Sequence, residues 1–350
     1  MRESGMTQAR SMGPVAAAVQ RAGGSVSRLF RRAELPLRLI EHPDCLIPLR
    51  DQLKLVEYAS REIADAALPA RLSTEGGVEH LGAFGQYVCG APRLGEAITR
   101  CNAYMSSMLQ SGTRLSLVRV GRDVRWSYWL TDGAEIGRQK NEILALGYML
   151  DLLRRYAGHS PTVRGELPGP PVAALSSIQD QFGCELVRSE IAALVFPAQY
   201  LEYPQRARVA PAGLRQAPQA PRAARVARVA PGNLPDPCDL VAQIECLVAL
   251  GLLERRPTQA WVCRRLRIPG RSMQRSLARA ATSFQQIRER VLSAQATQLL
   301  RCGDLSITQI ALDLGYSDPA HFTRAFIQWF GESPRTWRSQ AKRSTNVRVT

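Results

Sequence analysis

In the segment GRSMQRSLARA, residues 270–280, the polar residues Arg271, Gln274 and Arg275 recur at three- and four-residue spacing, which on a helix puts them on one face. Arginine presents a two-pronged donor that matches a guanine edge, and glutamine pairs a donor with an acceptor as an adenine edge requires. About fifty residues further on, Ala320, His321 and Arg324 stand at comparable helical spacing. The chemistry such groups do is recognition, not bond-making. The four histidines, at 42, 80, 159 and 321, have no partner at a spacing that suggests acid–base or metal work. Eight cysteines form no C-x-x-C pair and have no histidine at ligand distance, so a zinc site is not expected, and most of them read as small buried side chains in a reducing compartment. No catalytic residue, metal or cofactor is assigned.

Two helical hairpins must position these residues. In SITQIALDLGYSDPAHFTRAFIQWFGESP, residues 306–334, Ser306 followed by Gln309 is a capping-box pattern, and Ile307, Ile310, Ala311 and Leu314 make one apolar stripe. Gly315 sits where a left-handed terminating residue is wanted, and Asp318-Pro319 supplies a cap and a first helical proline. The second helix has its stripe at Phe322, Ala325, Phe326 and Trp329 and ends at Gly331, leaving Ala320, His321, Thr323, Arg324 and Gln328 toward solvent. The same layout recurs in TQAWVCRRLRIPGRSMQRSLARA, residues 258–280, with Thr258 as cap, Val262, Leu266, Met273 and Leu277 inward, and Arg271, Gln274, Arg275 and Ala278 outward. A helix of about 18 residues between them, capped by Thr282 or Ser283, carries Ile287, Val291, Ala294 and Leu299 with Leu292 beside them. It forms a rod of roughly 27 Å at 1.5 Å per residue.

The remainder of the chain is organised differently. At 350 residues the sequence is long enough for two cores. Helices are predicted at Pro48 to Ile63, Leu94 to Leu109 and Glu135 to Tyr156, the last with a stripe of Ile143, Leu146, Leu150 and Leu153. Thr113 to Val120 and Asp123 to Leu130 read as a hairpin turning at Gly121-Arg122, and Thr162 to Leu167 and Ala192 to Phe196 as further strands. Residues 204–237, rich in proline, alanine and arginine, read as a linker. The net charge of +16 is divided unevenly, as +2 over 1–203, +5 over 204–237 and +9 over 238–350. A neutral first half joined to a basic second half fits a molecule in which one domain approaches phosphates. No stretch nears the roughly 20 apolar residues of a membrane span, and the run Val15 to Val19 is too short for a signal-peptide core, so no membrane association and a cytosolic location are expected.

The region 258–338, above all TSFQQIRERVLSAQATQLL, SITQIALDLGYSDPAHFTRAFIQWFG and ESPRTWR, resembles the C-terminal DNA-binding domain of AraC-type transcription regulators. IPLRDQLKLVEYASREI and APRLGEAITRCNAYM, within 45–203, resemble the arabinose-binding-type sensor and dimerisation domain of some members. The resemblance implies an α+β multidomain chain: a mixed α/β N-terminal sensor domain over 1–203, the linker over 204–237, and an all-α C-terminal domain over 238–350 whose seven helices hold two helix-turn-helix units. It implies that Arg271, Gln274 and Arg275 in the first reading helix and Ala320, His321 and Arg324 in the second face DNA. It further implies double-stranded DNA, a small-molecule effector and a second copy of the chain as partners, with RNA polymerase as a further one for an activator. Two departures stand out: Pro269 replaces the usual serine cap, and Ala281 replaces the glycine that normally ends the first reading helix, so that this helix is expected to end differently. The richer polar set of the first unit is expected to supply most base discrimination. The second should fix position through Arg324 and through a phosphate at the helix start by Asp318-Pro319.

Two other readings make different demands. A DNA-repair alkyltransferase requires a Pro-Cys-His-Arg-type segment and a cysteine-rich metal cluster, and the chain has neither. An architectural DNA-binding protein would use the basic domain without a ligand switch.

Overall fold

The computed structural model describes residues 5–131, 133, 136–206, 234–236, 238–254, 257–302 and 305–346, so most of the expected linker lies outside the described residues. These residues divide into two compact units, 5–37 with 47–206 and 234–236, and 38–46 with 238–346.

The first unit contains the strands β1 (Met6–Gln8), β2 (Leu46–Pro48), β3 (Thr113–Val120), β4 (Asp123–Leu130), β5 (Arg164–Leu167), β6 (Glu185–Arg188) and β7 (Ala192–Pro197). Its helices are α1 (Val15–Arg21), α2 (Val26–Arg32), α3 (Leu49–Glu62), α4 (Leu68–Gly76), α5 (Gly82–Cys89), α6 (Leu94–Met108), α7 (Arg138–Ala157) and α8 (Leu175–Phe182). A five-stranded sheet runs in the order β3-β4-β7-β5-β6, and β1 pairs with β2 separately. The predicted hairpin forms in the expected register, with Thr113 opposite Leu130 and Val120 opposite Asp123 across the Gly121-Arg122 turn. Along β4 the alternation of Val124, Trp126, Tyr128 and Leu130 sends one side into the core, as a half-covered antiparallel strand requires. Within the five-stranded sheet β5 and β6 pair in parallel and the other described pairs are antiparallel, and α8 supplies the crossover that parallel strands need.

The helix α7 is buried nearly all round, not along one stripe. Leu144, Met149 and Leu152 are covered together with the predicted Ile143, Leu146, Leu150 and Leu153, because α3, α4 and the sheet all pack on it. A helix enclosed on every side keeps no exposed polar face.

The second unit is all-helical after Asp239: α9 (Leu240–Leu252), α10 (Gln259–Leu266), α11 (Gly270–Arg279), α12 (Phe284–Cys302), α13 (Ile307–Asp313), α14 (Pro319–Phe330) and α15 (Pro334–Asn346). Its larger core gathers Leu292, Ala296, Leu299 and Leu300 of α12 with Ile310, Ala311, Leu314, Phe322 and Phe326, and Trp329 and Trp337 pack against it. Of the stripe expected on α12, Ile287, Leu292 and Leu299 are buried and Val291 half-buried, but Ala294 is exposed, while Gln295 and Ala296 are covered. This helix packs on α9, α13 and α15. Among the described residues no helix is long and apolar enough to cross a membrane.

Candidate nucleic-acid interface

Each helical hairpin is built by caps that the sequence announces. Thr258 accepts the Trp261 amide at 3.2 Å and starts α10, and Ser283, not Thr282, accepts the Gln286 amide at 3.2 Å and starts α12. Ser306 accepts the Gln309 amide at 3.0 Å, but the Gln309 side chain reaches forward to Asp313 at 3.1 Å, so only the serine half of the capping box forms. Gly315, at φ 84°, and Gly331, at φ 76°, supply the left-handed turns that end α13 and α14.

The first reading helix, α11, is punctuated less comfortably. Its cap is Pro269, with no side-chain acceptor for the first amides. Arg267 before it and Ala281 after it both adopt left-handed backbone, at φ 53° and 50°. The Thr282 amide still bonds to the Leu277 carbonyl and the Ala281 amide to Ala278, so the helix closes as a glycine-ended one would, contrary to the expectation that it ends differently. Met273 and Leu277 fill the core side. Arg271, Gln274, Arg275 and Ala278 are exposed together.

On α14, Phe322 and Phe326 are fully buried and Ala320, His321 and Arg324 are exposed. Arg271, Gln274, Arg275 and Arg324 have no ion pair or side-chain hydrogen bond among the described residues, so their donors are open to a ligand. His321 stands 3.9 Å from the Asp318 carboxylate. The Asp318 carboxylate also accepts the Ala320 amide at 2.8 Å, so negative charge occupies the helix start where a phosphate is expected.

Four exposed residues extend these faces beyond the sequence-derived set. Arg279 continues the Arg271–Arg275 row by one more turn, and Arg264 in the last turn of α10 and Arg267 in the turn before α11 add charge. Ile327, 44% exposed, follows Arg324 by three residues on α14. Extending the same helical spacing by one step finds Arg279 and Ile327; the turn arginines carry no such signal. Arg265 behaves in the opposite way: it is buried, its guanidinium lying over the Trp261 ring at 4.9 Å.

The cysteines are less buried than expected: three are covered, four half-covered and Cys238 exposed. Burial pushes the Cys101 thiol up to about 12, and the thiols of Cys184 and Cys263 are also raised by burial. A nucleophilic thiolate needs the opposite shift. Among the described residues no group of histidine, cysteine, aspartate or glutamate side chains is arranged to hold a metal ion.

The model of the arabinose-binding domain of AraC transcription regulators, N-terminal, matches residues 23–205, and that of a helix-turn-helix domain matches 262–340. The chain is 37% identical over 82 residues to the ornithine utilization regulator of Pseudomonas aeruginosa, covering 23% of this chain and 24% of that one. It is 38% identical over 69 residues to the HTH-type transcriptional regulator VirS of Mycobacterium tuberculosis, 20% of each. The chain thus spans less than a quarter of the length of these curated relatives. The crystal structure of the transcriptional regulator CdpR from Pseudomonas aeruginosa covers 78% of this chain and 87% of its own at 19% identity, with a TM-score of 0.34. The N-terminal match runs through more than half of the chain, and the helix-turn-helix match begins beyond it: the chain belongs to the family of AraC transcription regulators.

Proposed function

We propose that the chain is a sequence-specific DNA-binding transcription regulator in which 238–350 reads DNA, 1–203 binds a small-molecule effector and forms a homodimer, and 204–237 links them. The observation that carries this reading is the pair of helices α11 and α14, each with an apolar side buried and a polar side facing out. The 19-residue α12 between the two hairpins is about 28 Å long at 1.5 Å per residue, close to the roughly 34 Å repeat of B-DNA. That length suits two reading helices entering successive major grooves.

Specificity is divided unequally. Arg271, Gln274 and Arg275 read base edges, whereas Ala320, His321 and Arg324 set position on the duplex. The phosphate nearest the second unit is held by Arg324, since Asp318 repels it from the helix start. Action on DNA places the molecule in the cytosol, and contact with RNA polymerase is the route by which it would act as an activator. Selecting fragments from the genomic DNA of the source with the full-length chain, then measuring affinity with and without effector, tests the reading. A shared motif in the selected fragments supports it. Uniform affinity for all fragments points to an architectural protein.

A further inference from the structure

The first unit encloses a cavity between the sheet and the helices α3, α5, α6 and α7, with about 540 Å3 of atom-free space counted out to solvent. That volume includes open solvent and is an upper limit on its occupant. Most of the wall is apolar: Leu81, Phe84, Met105, Trp126 and Leu144 contribute, and methionine lets such a wall adapt its shape. No acidic, basic or histidine side chain lines it.

The polar groups at the cavity are nearly all committed to one another. Thr7 and Ser11 are 2.7 Å apart, Ser11 donates to Gln52 at 2.6 Å, and Gln52 donates to Asn141 at 3.1 Å. Asn141 and Gln110 both donate to the Tyr128 oxygen at 2.8 Å, and the Thr7 hydroxyl donates to the Gln110 carbonyl oxygen at 3.2 Å, closing a ring of buried neutral groups. Two phenols are left over. Tyr128 accepts twice, and its own proton has no acceptor among the described residues. Tyr148, also lining the cavity and also buried, has a hydroxyl with no partner among the described residues. Backbone packs closely beside that hydroxyl: a Cβ at Gly13 would fall 3.0 Å and one at Gly76 3.6 Å from it.

Unsatisfied buried hydroxyls cost stability unless something accepts from them, and burial holds both phenols protonated, with pKa values above the ordinary tyrosine range. A charged ligand would be desolvated here with no counter-ion, and a sugar would bury a hydroxyl from nearly every carbon against a ring of groups already paired. Resting on the proposal that this unit senses a small molecule, we infer that its effector is a small, neutral, mainly apolar molecule carrying one or two oxygen acceptors, such as an aromatic ketone, held by the Tyr128 and Tyr148 hydroxyls. Neither a sugar nor an amino acid fits this cavity.

The test uses the full-length chain and five probes: acetophenone, ethylbenzene as its hydrocarbon counterpart, benzoate as its charged counterpart, L-arabinose and L-ornithine. Acetophenone raises the melting temperature and, by titration calorimetry, binds at least tenfold more tightly than benzoate, arabinose or ornithine. Tyr128→Phe and Tyr148→Phe each weaken acetophenone by about 2–10-fold, the worth of one hydrogen bond, and leave ethylbenzene unchanged. Ala145→Phe, which fills the cavity from α7, abolishes binding of both. Tighter binding of arabinose, ornithine or benzoate overturns the inference and leaves effector sensing standing. Absence of binding by all five probes to the folded chain also overturns it. Sensing itself falls only if, in addition, no metabolite fraction of the source changes the affinity for DNA.

Discussion

Arg267 and Ala281, neither of them glycine, hold left-handed backbone on either side of the helix α11, at φ 53° and 50°. Each costs on the order of 1–2 kcal/mol relative to a residue without a Cβ. The strain is retained because both turns are fixed by bonds to the helix ends, Ile268 to the Cys263 carbonyl on one side and Thr282 to Leu277 on the other. The orientation of the arginine-rich face depends on these two turns.

Replacing Ala281 by glycine should therefore stabilise the second unit by about 1 kcal/mol, since the left-handed conformation no longer carries its steric cost. Urea unfolding followed by tryptophan fluorescence, with Trp261, Trp329 and Trp337 reporting on this unit, measures the shift. DNA specificity should stay as it was. A destabilised variant would mean that the turn is not left-handed in solution.

The two units should respond differently to truncation. Arg271→Ala and Arg275→Ala should each cost about 1–3 kcal/mol on the preferred operator and relax preference at one or two base pairs. Arg324→Ala should weaken all sequences more evenly. Affinities against a panel of single-base operator changes decide the matter, and the reverse pattern means that the roles of the two units are exchanged.

Asp318 sets up a competition between folding and binding. Its carboxylate caps α14 by accepting the Ala320 amide, yet it faces where phosphate would approach. Asp318→Asn keeps an acceptor and removes the charge, so DNA affinity at low salt should rise several-fold with little loss of stability. Asp318→Ala should cost about 1 kcal/mol of stability through the lost cap. Filter binding and thermal melts of the two variants separate the effects.

Thiol chemistry gives an independent check on the burial of Cys101. With its thiol pushed up to about 12 by burial, Cys101 remains protonated at pH 8, and the protonated form does not react. Iodoacetamide should label exposed Cys238 first and reach Cys101 only on unfolding. Rapid modification of Cys101 in the native chain would contradict the buried placement.

Legibility from sequence followed how local each signal was. The hairpin of β3 and β4, the caps Thr258 and Ser306 and the helix stops at Gly315 and Gly331 are written in a few adjacent residues, and the structure forms all of them. What long-range packing decides was not legible. Residues Glu185–Arg188 make a strand only because β5 lies beside them, and Gln295, not Ala294, is covered on α12 where three other helices pack on it. The ring joining Thr7, Gln52, Gln110, Tyr128 and Asn141 brings together residues more than a hundred positions apart, and no spacing announces it.

The most direct test of the account is the affinity of the full-length chain for a genomically selected fragment and for its scrambled counterpart, measured as salt rises from about 50 to 200 mM. A basic reading domain with base contacts should bind the selected fragment tightly at low salt, prefer it over the scrambled one, and weaken steeply and log-linearly as salt increases. A folded chain with no measurable affinity for either fragment at the lowest salt would contradict the proposal that 238–350 reads DNA.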